Sequence, residues 1–346
     1  MAIFEHLDLM REMREKKFIN IQKHARFPLW LCNYSKRAQH KEMWNEATCA
    51  CRGLILDKDN NVVSRPFKKF FNYSETAPEN IPDETFTVSD KIDGSLGISY
   101  FYRGVWRIAT RGSFNGKHAQ KASRMLRYKY AHCQKNMNPE YTYLFEIIYP
   151  ENHIIVDYGD REELILLAVI HTETGEEMTD FADIGFPVLK TYDGLHSLED
   201  VLKLNDDKAE GVVVRFASGL RLKVKFPEYM RLHSIMLGLT EIKVWRHLSG
   251  GRDIDELLKI IDEEYYLWLK TTAEKLLMAY NNIYEECMAE FRAMPQFSNK
   301  KTAAEYIVGK KYEHILFNLL DNKPIEKAIW KEVKPDESGS WFAERG

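Results

Sequence analysis

The sequence predicts an α+β protein, with an antiparallel-sheet-rich body over residues 1–237 and an all-helical C-terminal domain over residues 238–346. Between Phe27 and Phe226, short runs of β-branched and aromatic residues recur, and turn residues join several of them, which is typical of paired antiparallel strands. After Leu237, apolar residues recur at helical spacing instead. With 346 residues, of which 45% are hydrophobic, the chain is long enough to bury a core in each part.

The strands of the first part are predicted from short apolar runs. A short amphipathic helix over residues 1–17 comes first, and the strands follow it: GLILD (53–57), FTVSDKIDGSLGISYF (86–101), VWRIATR (105–111), TYLFEIIY (142–149), LILLAVIH (164–171), EGVVVRF (210–216) and LRLKVKF (220–226). The segments FYRGVWR and RFASGLRLK carry the turn residues of hairpins. Between the strands, the basic segment RMLRYKYAHCQK (124–135) predicts a helix, which is either a solvated face or a contact for a nucleic-acid backbone.

The second part is predicted to be helical throughout. A long helix over residues 254–294 places Leu257, Trp268, Leu276 and Cys287 on one face. Two shorter helical stretches follow, TAAEYIVGKKYEHILFNLL (302–320) and IEKAIWKEV (325–333). The glycine pair at 250 and 251 predicts a flexible joint before the long helix.

Bulk composition narrows the class of protein without identifying its partner. A formal net charge of −3 and a pI near 6.4 show no global attraction to polyanions, so a nucleic-acid partner requires a local basic face. Five cysteines at irregular spacing favour reduced thiols over disulfides. Neither a signal peptide nor a membrane span is expected, and the prediction is a cytoplasmic protein, in the host cytosol if a virus encodes it.

Lys91 is the residue that demands a chemical explanation, because it interrupts a half-buried strand and is followed at once by Ile92, Asp93 and Gly94. A solvent-facing lysine is the commoner explanation of so short a pattern. The alternative is a nucleophile, with Asp93 and Gly94 making the turn that exposes its amine. Gly94 would also let the backbone approach a sugar or phosphate closely.

Four other charged residues on predicted strands support the nucleophile hypothesis. Glu146 lies among apolar residues, where an unpaired carboxylate is costly, and Glu210 opens a β-branched run. Lys223 and Lys225 are two positions apart, so a strand projects both from one face. Such a pair either holds a polyphosphate or lies on the solvated face of an edge strand. Adjacent cations also favour the neutral amine that a nucleophilic lysine needs.

Several blocks, in this order, resemble the covalent nucleotidyltransferases, and among them the RNA ligases of the bacteriophage T4 RNA ligase 1 type. The blocks are CRGLILD, SRPFKKFFNYSE, KIDGSL, TRGS, FEIIYPENHIIVDY, LLAVIHTETGE, EGVVV and LKVKFPEYMRLHS. Their order from Cys51 to Ser234 is more specific than any single block. The resemblance implies a nucleotidyltransferase domain of the ATP-grasp-like ligase kind over residues 1–237. In the C-terminal domain, Lys300, Lys301, Lys310 and Lys311 either form a positive face toward RNA phosphates or only keep a packing helix soluble.

The resemblance also implies a role for each matched residue. Lys91 is the nucleophile, assisted in catalysis by Glu210, Lys223 and Lys225. The residues expected to bind the nucleotide are Arg52, Lys69, Phe71, Gly94, Arg111, Glu146 and Tyr229. Arg111 stands where the phage enzyme has a lysine, which keeps the charge and changes the geometry. Asp253 is the candidate metal ligand, and a plain helix N-cap is the alternative for it. Tyr34 is the nearest match to a tyrosine expected close to the N-terminus.

The implied activity is ATP-dependent joining of RNA 5′-phosphate and 3′-hydroxyl ends through a lysyl-AMP and an RNA-adenylate. ATP and Mg²⁺, with Mn²⁺ as a substitute, are the implied cofactors. The implied partners are RNA ends, tRNA among them, and an end-healing kinase or phosphatase, with no membrane. Three alternatives stay open: a DNA ligase, a capping-type guanylyltransferase and a catalytically silent RNA-binding protein. The helical tail argues against the first two, which generally carry a β-barrel after the last motif.

Overall fold

The computed structural model describes residues 2–152, 155–236, 240–258 and 263–335. The chain divides into two compact units, Met1–His233 and Ser234–Gly346. The boundary predicted between residues 237 and 238 lies outside the described residues and stays a prediction. Within the described ranges, no helix combines the length and the apolar character that crossing a bilayer requires.

The first unit contains three antiparallel-rich sheets, which confirms the predicted fold class. The N-terminal sheet has the strand order β1-β2-β3-β4, and short helices pack around it. Its elements are α1 (Leu7–Glu15), β1 (Ile19–Lys23), β2 (Leu29–Tyr34), α2 (Lys36–His40), α3 (Glu46–Ala50), β3 (Arg52–Asp57) and β4 (Val62–Ser64). The first helix, its neighbour α3 and the sheet bury a shared core that includes Phe4, Met13, Cys32 and Leu54.

Two further sheets complete the first unit. The remaining elements are β5 (Phe71–Asn72), β6 (Phe86–Lys91), β7 (Ser95–Tyr102), β8 (Val105–Thr110), α4 (Lys117–Tyr128), β9 (Tyr141–Ile148), β10 (Glu163–His171), β11 (Thr191–Tyr192), α5 (Leu198–Leu202), β12 (Gly211–Phe216), β13 (Arg221–Lys225) and α6 (Pro227–Met236). One sheet has the order β11-β6-β12-β13-β5 and the other β10-β9-β7-β8. The helix α4 packs against β8 and β10.

The prediction of one continuous strand over residues 86–101 is wrong at the centre of this stretch. The strand ends at Lys91 and resumes at Ser95, so that β6 belongs to one sheet and β7 to another. The Asp93 carboxylate between them is 1% exposed and accepts hydrogen bonds from another segment. Because those bonds hold the intervening residues out of either strand, the chain crosses between sheets directly after Lys91.

The basic helix also differs from its predicted bounds. It spans Lys117–Tyr128, seven residues earlier than the predicted start at Arg124, and it stops well before Lys135. Its end coincides with Tyr130 turning into the core, where the hydroxyl accepts a hydrogen bond from the Leu164 amide. The buried side of the helix consists of Ala119, Ala122, Met125 and Leu126.

In its described residues the second unit is helical. Its elements are α7 (Glu241–Ser249), α8 (Ile254–Leu258), α9 (Glu263–Arg292), α10 (Lys300–Ile307), α11 (Glu313–Leu320) and α12 (Glu326–Glu332). The glycine pair at 250 and 251 ends α7, within this unit. The stretch predicted as one helix over residues 302–320 breaks at Gly309, whose φ of 82° favours glycine. Leu276 and Cys287, predicted on one face of the long helix, are buried.

Candidate active site

Lys91, at the end of β6, contacts a buried carboxylate on the chain leading into β12. Its Nζ lies 2.5 Å from Oε1 of Glu210, whose side chain is only 3% exposed. The same Glu210 oxygen lies 2.9 Å from Nζ of Lys225 on β13. One carboxylate therefore holds two ammonium groups together, in a place where a single unpaired charge would be costly.

Gly211 makes this arrangement possible through its lack of a side chain. In the antiparallel pairing, Gly211 lies opposite both Lys91 and Lys225. Its φ is 149°, and a Cβ there would lie 2.2 Å from the carbonyl oxygen of Val224. No other residue fits at that distance, so glycine is what lets the strands approach closely beside Glu210.

Asp93 anchors the segment that follows Lys91. Its Oδ2 accepts the Ile155 and Val156 amides at 2.7 and 2.8 Å. Its Oδ1 accepts the Tyr229 hydroxyl at 2.8 Å. The Asp93 amide in turn donates to the Tyr158 hydroxyl at 2.9 Å. Asp93 therefore does more than shape the turn after Lys91, because its buried carboxylate ties the segment to two other parts of the chain.

Gly94 is required for close packing inside the protein. A Cβ at this position would lie 2.7 Å from the Ile147 carbonyl oxygen and 3.2 Å from Oε1 of Glu146. The residue thus brings the segment after Lys91 directly against the strand that carries Glu146. Its expected contact with a nucleotide stays a prediction.

Glu146 is a half-buried carboxyl on β9, and burial raises its pKa to about 8. The positive charges of Lys91 and Arg52 oppose the rise, and the negative charges of Glu210 and Asp93 add to it. These influences require proximity, so the fold brings Arg52 on β3, Lys91 on β6 and Glu210, just before β12, together around the Glu146 carboxyl group.

The raised pKa of Glu146 leads to a prediction about stability. A carboxyl whose pKa rises on folding binds its proton more tightly in the folded chain, so the free energy of unfolding falls between pH 4.5 and about 8. We expect Glu146→Gln, which cannot ionise, to remove about 1 to 2 kcal/mol of that fall, a value reduced because the group is half-buried. Urea unfolding at several pH values measures it.

Glu163→Gln is the matched control, on the neighbouring strand β10. The hydrogen bond from Arg161 holds the pKa of Glu163 below its usual value, although burial alone would raise that pKa. Removing the Glu163 charge should lower the free energy of unfolding above pH 4.5. The decrease of that free energy toward pH 8, which Glu146 causes, should remain. Equal pH slopes for wild type and Glu146→Gln would show that this carboxyl does not titrate as described.

Lys69 lies in a second group of predicted residues, inside an aromatic cage. It is 8% exposed, and its Nζ lies 4.2 Å from the ring centroid of Phe71, 4.4 Å from Trp44 and 5.9 Å from Tyr34. Ring faces stabilise a cation at these distances. Arg111 joins the group, since its Nη1 donates to the Tyr34 hydroxyl at 2.9 Å.

Phe70 connects this group with the strand that carries the lysine pair. The Cζ of Arg52 lies 5.6 Å from its ring centroid and Nζ of Lys223 lies 5.1 Å from it. On the sheet, β13 pairs in parallel with β5, placing Lys223 opposite Asn72, next to Phe71. Arg52 and Lys223 therefore share one aromatic ring, that of the residue next to Lys69 in the chain.

Asp253 is the one predicted site residue in the second unit. It directly precedes α8, and its Oδ1 accepts the Asp255 amide at 3.0 Å, as a capping carboxylate does. Across the parts of the chain that the structure describes, no three His, Cys, Asp or Glu side chains form a group able to hold a metal ion. Its role as a metal ligand stays a prediction.

Sequence reasoning missed Trp44, Phe70 and Tyr158. Tyr158 lies in the quoted block FEIIYPENHIIVDY, so its position was visible but its contact with Asp93 was not. Trp44 and Phe70 carry no signal of their own in a single sequence. They reach the site because the folding of the N-terminal segment brings their rings to the cations.

Comparison with known proteins finds a match to a protein family and to individual relatives. A family model described as RNA ligase matches residues 50–229, just over half of the chain. A protein of Thermovibrio ammonificans, provisionally named an RNA ligase, is 28% identical over 302 residues, covering 77% of each chain. An RNA ligase of Rhodothermus phage RM378 is 23% identical over 351 residues, covering 79% of this chain and 78% of the phage protein.

A third relative is longer than this chain. A protein of Autographa californica nuclear polyhedrosis virus, provisionally named a bifunctional polynucleotide kinase/RNA ligase, is 25% identical over 253 residues. The match covers 65% of this chain and 36% of the viral protein. The matched segment therefore spans about a third of that relative's length.

Proposed function

Because this chain belongs to the RNA ligase family, we propose that it joins RNA 5′-phosphate and 3′-hydroxyl ends in an ATP-dependent reaction that begins at Lys91. The Lys91 amine attacks the α-phosphorus of ATP, a phosphoramidate bond forms, and the bond to pyrophosphate breaks. The AMP then passes to the RNA 5′-phosphate. The 3′-hydroxyl finally attacks that phosphate, and AMP leaves as the phosphodiester forms.

The observation that carries this proposal is the contact of Lys91 with the buried Glu210, which Lys225 shares. The Glu210 oxygen, 2.5 Å from the Lys91 Nζ, is placed to accept the proton that the attacking amine must lose. Lys225, 2.9 Å from the same oxygen, keeps positive charge next to the reacting phosphate. No surface lysine needs such a partner, since water would solvate it.

The remaining predicted residues have charges and shapes that suit ATP. Arg52, Lys69 and Lys223 supply positive charge for its phosphates. Arg111 lies near Lys69, because both side chains contact Tyr34. Phe71 offers a ring face for the nucleotide. Glu146, when it carries its proton, can donate a hydrogen bond, and it can accept one from a ribose hydroxyl in either state. Tyr229 acts on the site through Asp93.

Mg²⁺ fits the donors of this site, and Mn²⁺ would fit as a substitute. Hard divalent cations bind oxygen, commonly through one or two carboxylates and the phosphates of the substrate. Glu210 lies close enough to Glu146 for its negative charge to raise the pKa of Glu146, and these two carboxyl groups would hold the ion. When bound, it neutralises charge on the phosphates.

The finer biology is part of the same proposal. Ligatable ends arise when RNA is cut and then healed, so we place the enzyme in RNA repair in the cytosol, with tRNA among its substrates. The name of the viral relative joins a polynucleotide kinase with an RNA ligase, and this supports an end-healing kinase or phosphatase as a partner. The helical unit would then help select the RNA.

Incubation with α-labelled ATP or GTP, followed by a denaturing gel, tests the proposed function. We expect a labelled protein band with ATP, its loss on adding 5′-phosphorylated RNA, and a ligated RNA product. Label from GTP would indicate a capping-type enzyme, and sealing of nicked DNA in preference to RNA would indicate a DNA ligase. If folded protein gave no labelled band with either nucleotide, the remaining alternative would be an RNA-binding protein that does not catalyse this reaction.

A further inference from the structure

One stretch of the chain is strongly basic although the whole protein is slightly acidic. Residues 94–139 contain no Asp or Glu, against 52 in the chain, whose net charge is −3. The stretch holds these Lys and Arg residues: Arg103, Arg107, Arg111, Lys117, Lys121, Arg124, Arg127, Lys129 and Lys135. This segregation of charge concentrates positive potential on the elements β7, β8 and α4.

The helix α4 turns much of that charge toward solvent. Its buried side is apolar, and Lys117, Arg124, Arg127 and Tyr128 are all exposed. At 100° per residue, Lys117, Arg124 and Tyr128 line up on the outer side of the helix, across roughly 16 Å. We call the four residues the α4 face. Tyr128, 74% exposed, is a large aromatic side chain with no core to pack against.

The charges of the α4 face are not neutralised within the described structure. Among the described residues, Lys117, Arg124 and Arg127 form no ion pair, whereas the neighbouring Lys121 pairs with Glu162. Three lysines of the second unit behave differently. Lys300 pairs with Asp321, Lys310 with Glu290 and Lys311 with Glu286. An incoming polyanion would have to displace those carboxylates, but none on the α4 face.

The helix α4 begins close to the C-terminal end of β9, the strand that carries Glu146. Arg111, which contacts Tyr34, follows β8, and α4 starts six residues later. His118, in the first turn of α4, is hydrogen-bonded through Nδ1 to the Tyr149 hydroxyl at 2.7 Å. Tyr149 follows β9 and lies three residues after Glu146. Ala122, Met125 and Leu126 of α4 share a core with Phe145, Ile147 and Tyr149, so the helix lies on the face of this sheet opposite to the Glu146 side chain.

We propose that the α4 face binds the single-stranded RNA that flanks the end being sealed. The inference rests on the proposed function, because it assigns part of that substrate's path. Lysine and arginine would contact successive phosphates, and the exposed Tyr128 ring would stack on a base. A basic groove with an aromatic side chain is the combination that binds single strands without reading their sequence. Charge complementarity, the exposed aromatic ring and the start of α4 at the end of β9 favour RNA as the occupant.

Salt-dependent binding of a 5′-phosphorylated single-stranded RNA, followed by fluorescence anisotropy, tests the α4 face. Neutralising Lys117, Arg124 and Arg127 to serine should reduce the slope of log affinity against log salt by about 2, at about 0.7 for each lost phosphate contact. Tyr128→Ala alone should weaken binding roughly 5- to 100-fold through lost stacking, with the slope unchanged. Lysyl-AMP formation without RNA should stay at the wild-type level in both variants.

Serine replacements of Lys300, Lys310 and Lys311 are the matched control, with the same change in net charge. Because their ammonium groups already have carboxylate partners, the slope should stay close to wild type. Equal slopes of log affinity against log salt for the α4 variant and wild type would overturn the proposal, even if another ligand bound the α4 face. Failure of the wild type to form an adduct would instead refute the proposed function, and the binding slopes would still test the α4 face.

Discussion

Replacing Lys91 with alanine is expected to abolish the covalent AMP adduct. Removing a nucleophile should lower the rate of adduct formation by a factor on the order of 1,000 or more. No other described amine shares the combination of a buried carboxylate at 2.5 Å and a second ammonium on the same oxygen. The fold should persist, because Lys91 ends β6 and its side chain is partly exposed. Intact-mass spectrometry after incubation with ATP measures the adduct.

Lys58→Ala is the control for Lys91→Ala. Lys58 is exposed in the turn between β3 and β4 and pairs only with its neighbour Asp59 among the described residues. Its removal should leave adduct formation at the wild-type rate. Tryptic peptides that place AMP on a residue other than Lys91 would refute the assignment, even if Lys91→Ala were inactive.

Glu210→Gln is expected to cause the largest loss of stability at the candidate site. The substitution keeps the shape but removes the charge that Lys91 and Lys225 share, and breaking a buried ion pair from one side costs about 3 to 5 kcal/mol. The amide would also direct an N–H toward one of the ammonium groups. Hydrogen exchange of the β6 and β12 backbone amides, measured in increasing urea, gives this change for the strands concerned.

A double-mutant cycle separates the ion pair from simple loss of packing. Lys225→Met removes one of the ammonium groups while keeping an unbranched side chain of similar length. If the pair carries the effect, Glu210→Gln should cost less in the Lys225→Met background than in wild type. Additive losses would show that Glu210 stabilises these strands through contacts other than its charge. Adenylylation should fall in each single variant, because each alters the charge around the Lys91 amine.

The sequence was sufficient for the fold class and for most strands of the first unit. The runs around Phe145, Leu166 and Val213 became β9, β10 and β12 because alternating or continuous apolar residues can bury a strand face only in a sheet. Short elements such as β5 and β11, with two residues each, have no periodicity to detect and were not predicted. Their place depends on the neighbours with which they pair.

Helix bounds show the same limit. The charge and aromatic content around Arg124 indicated a basic helix, but its start at Lys117 depends on packing against β8 and β10. The break at Gly309 was also missed. A single glycine in a helical pattern is tolerated in many helices, and its positive φ is known only from the structure.

The sequence by itself determined which side chains could carry the chemistry, because K-I-D-G, the lone Glu146 and the Lys223 and Lys225 pair are local patterns. Tertiary structure alone decided how these groups meet: Glu210 between two ammonium groups, Asp93 bonded to Tyr229, and Lys69 against Trp44. The physical reason is that a contact between distant residues depends on strand register and close packing. Local propensity encodes neither, since both follow from burying many side chains at once.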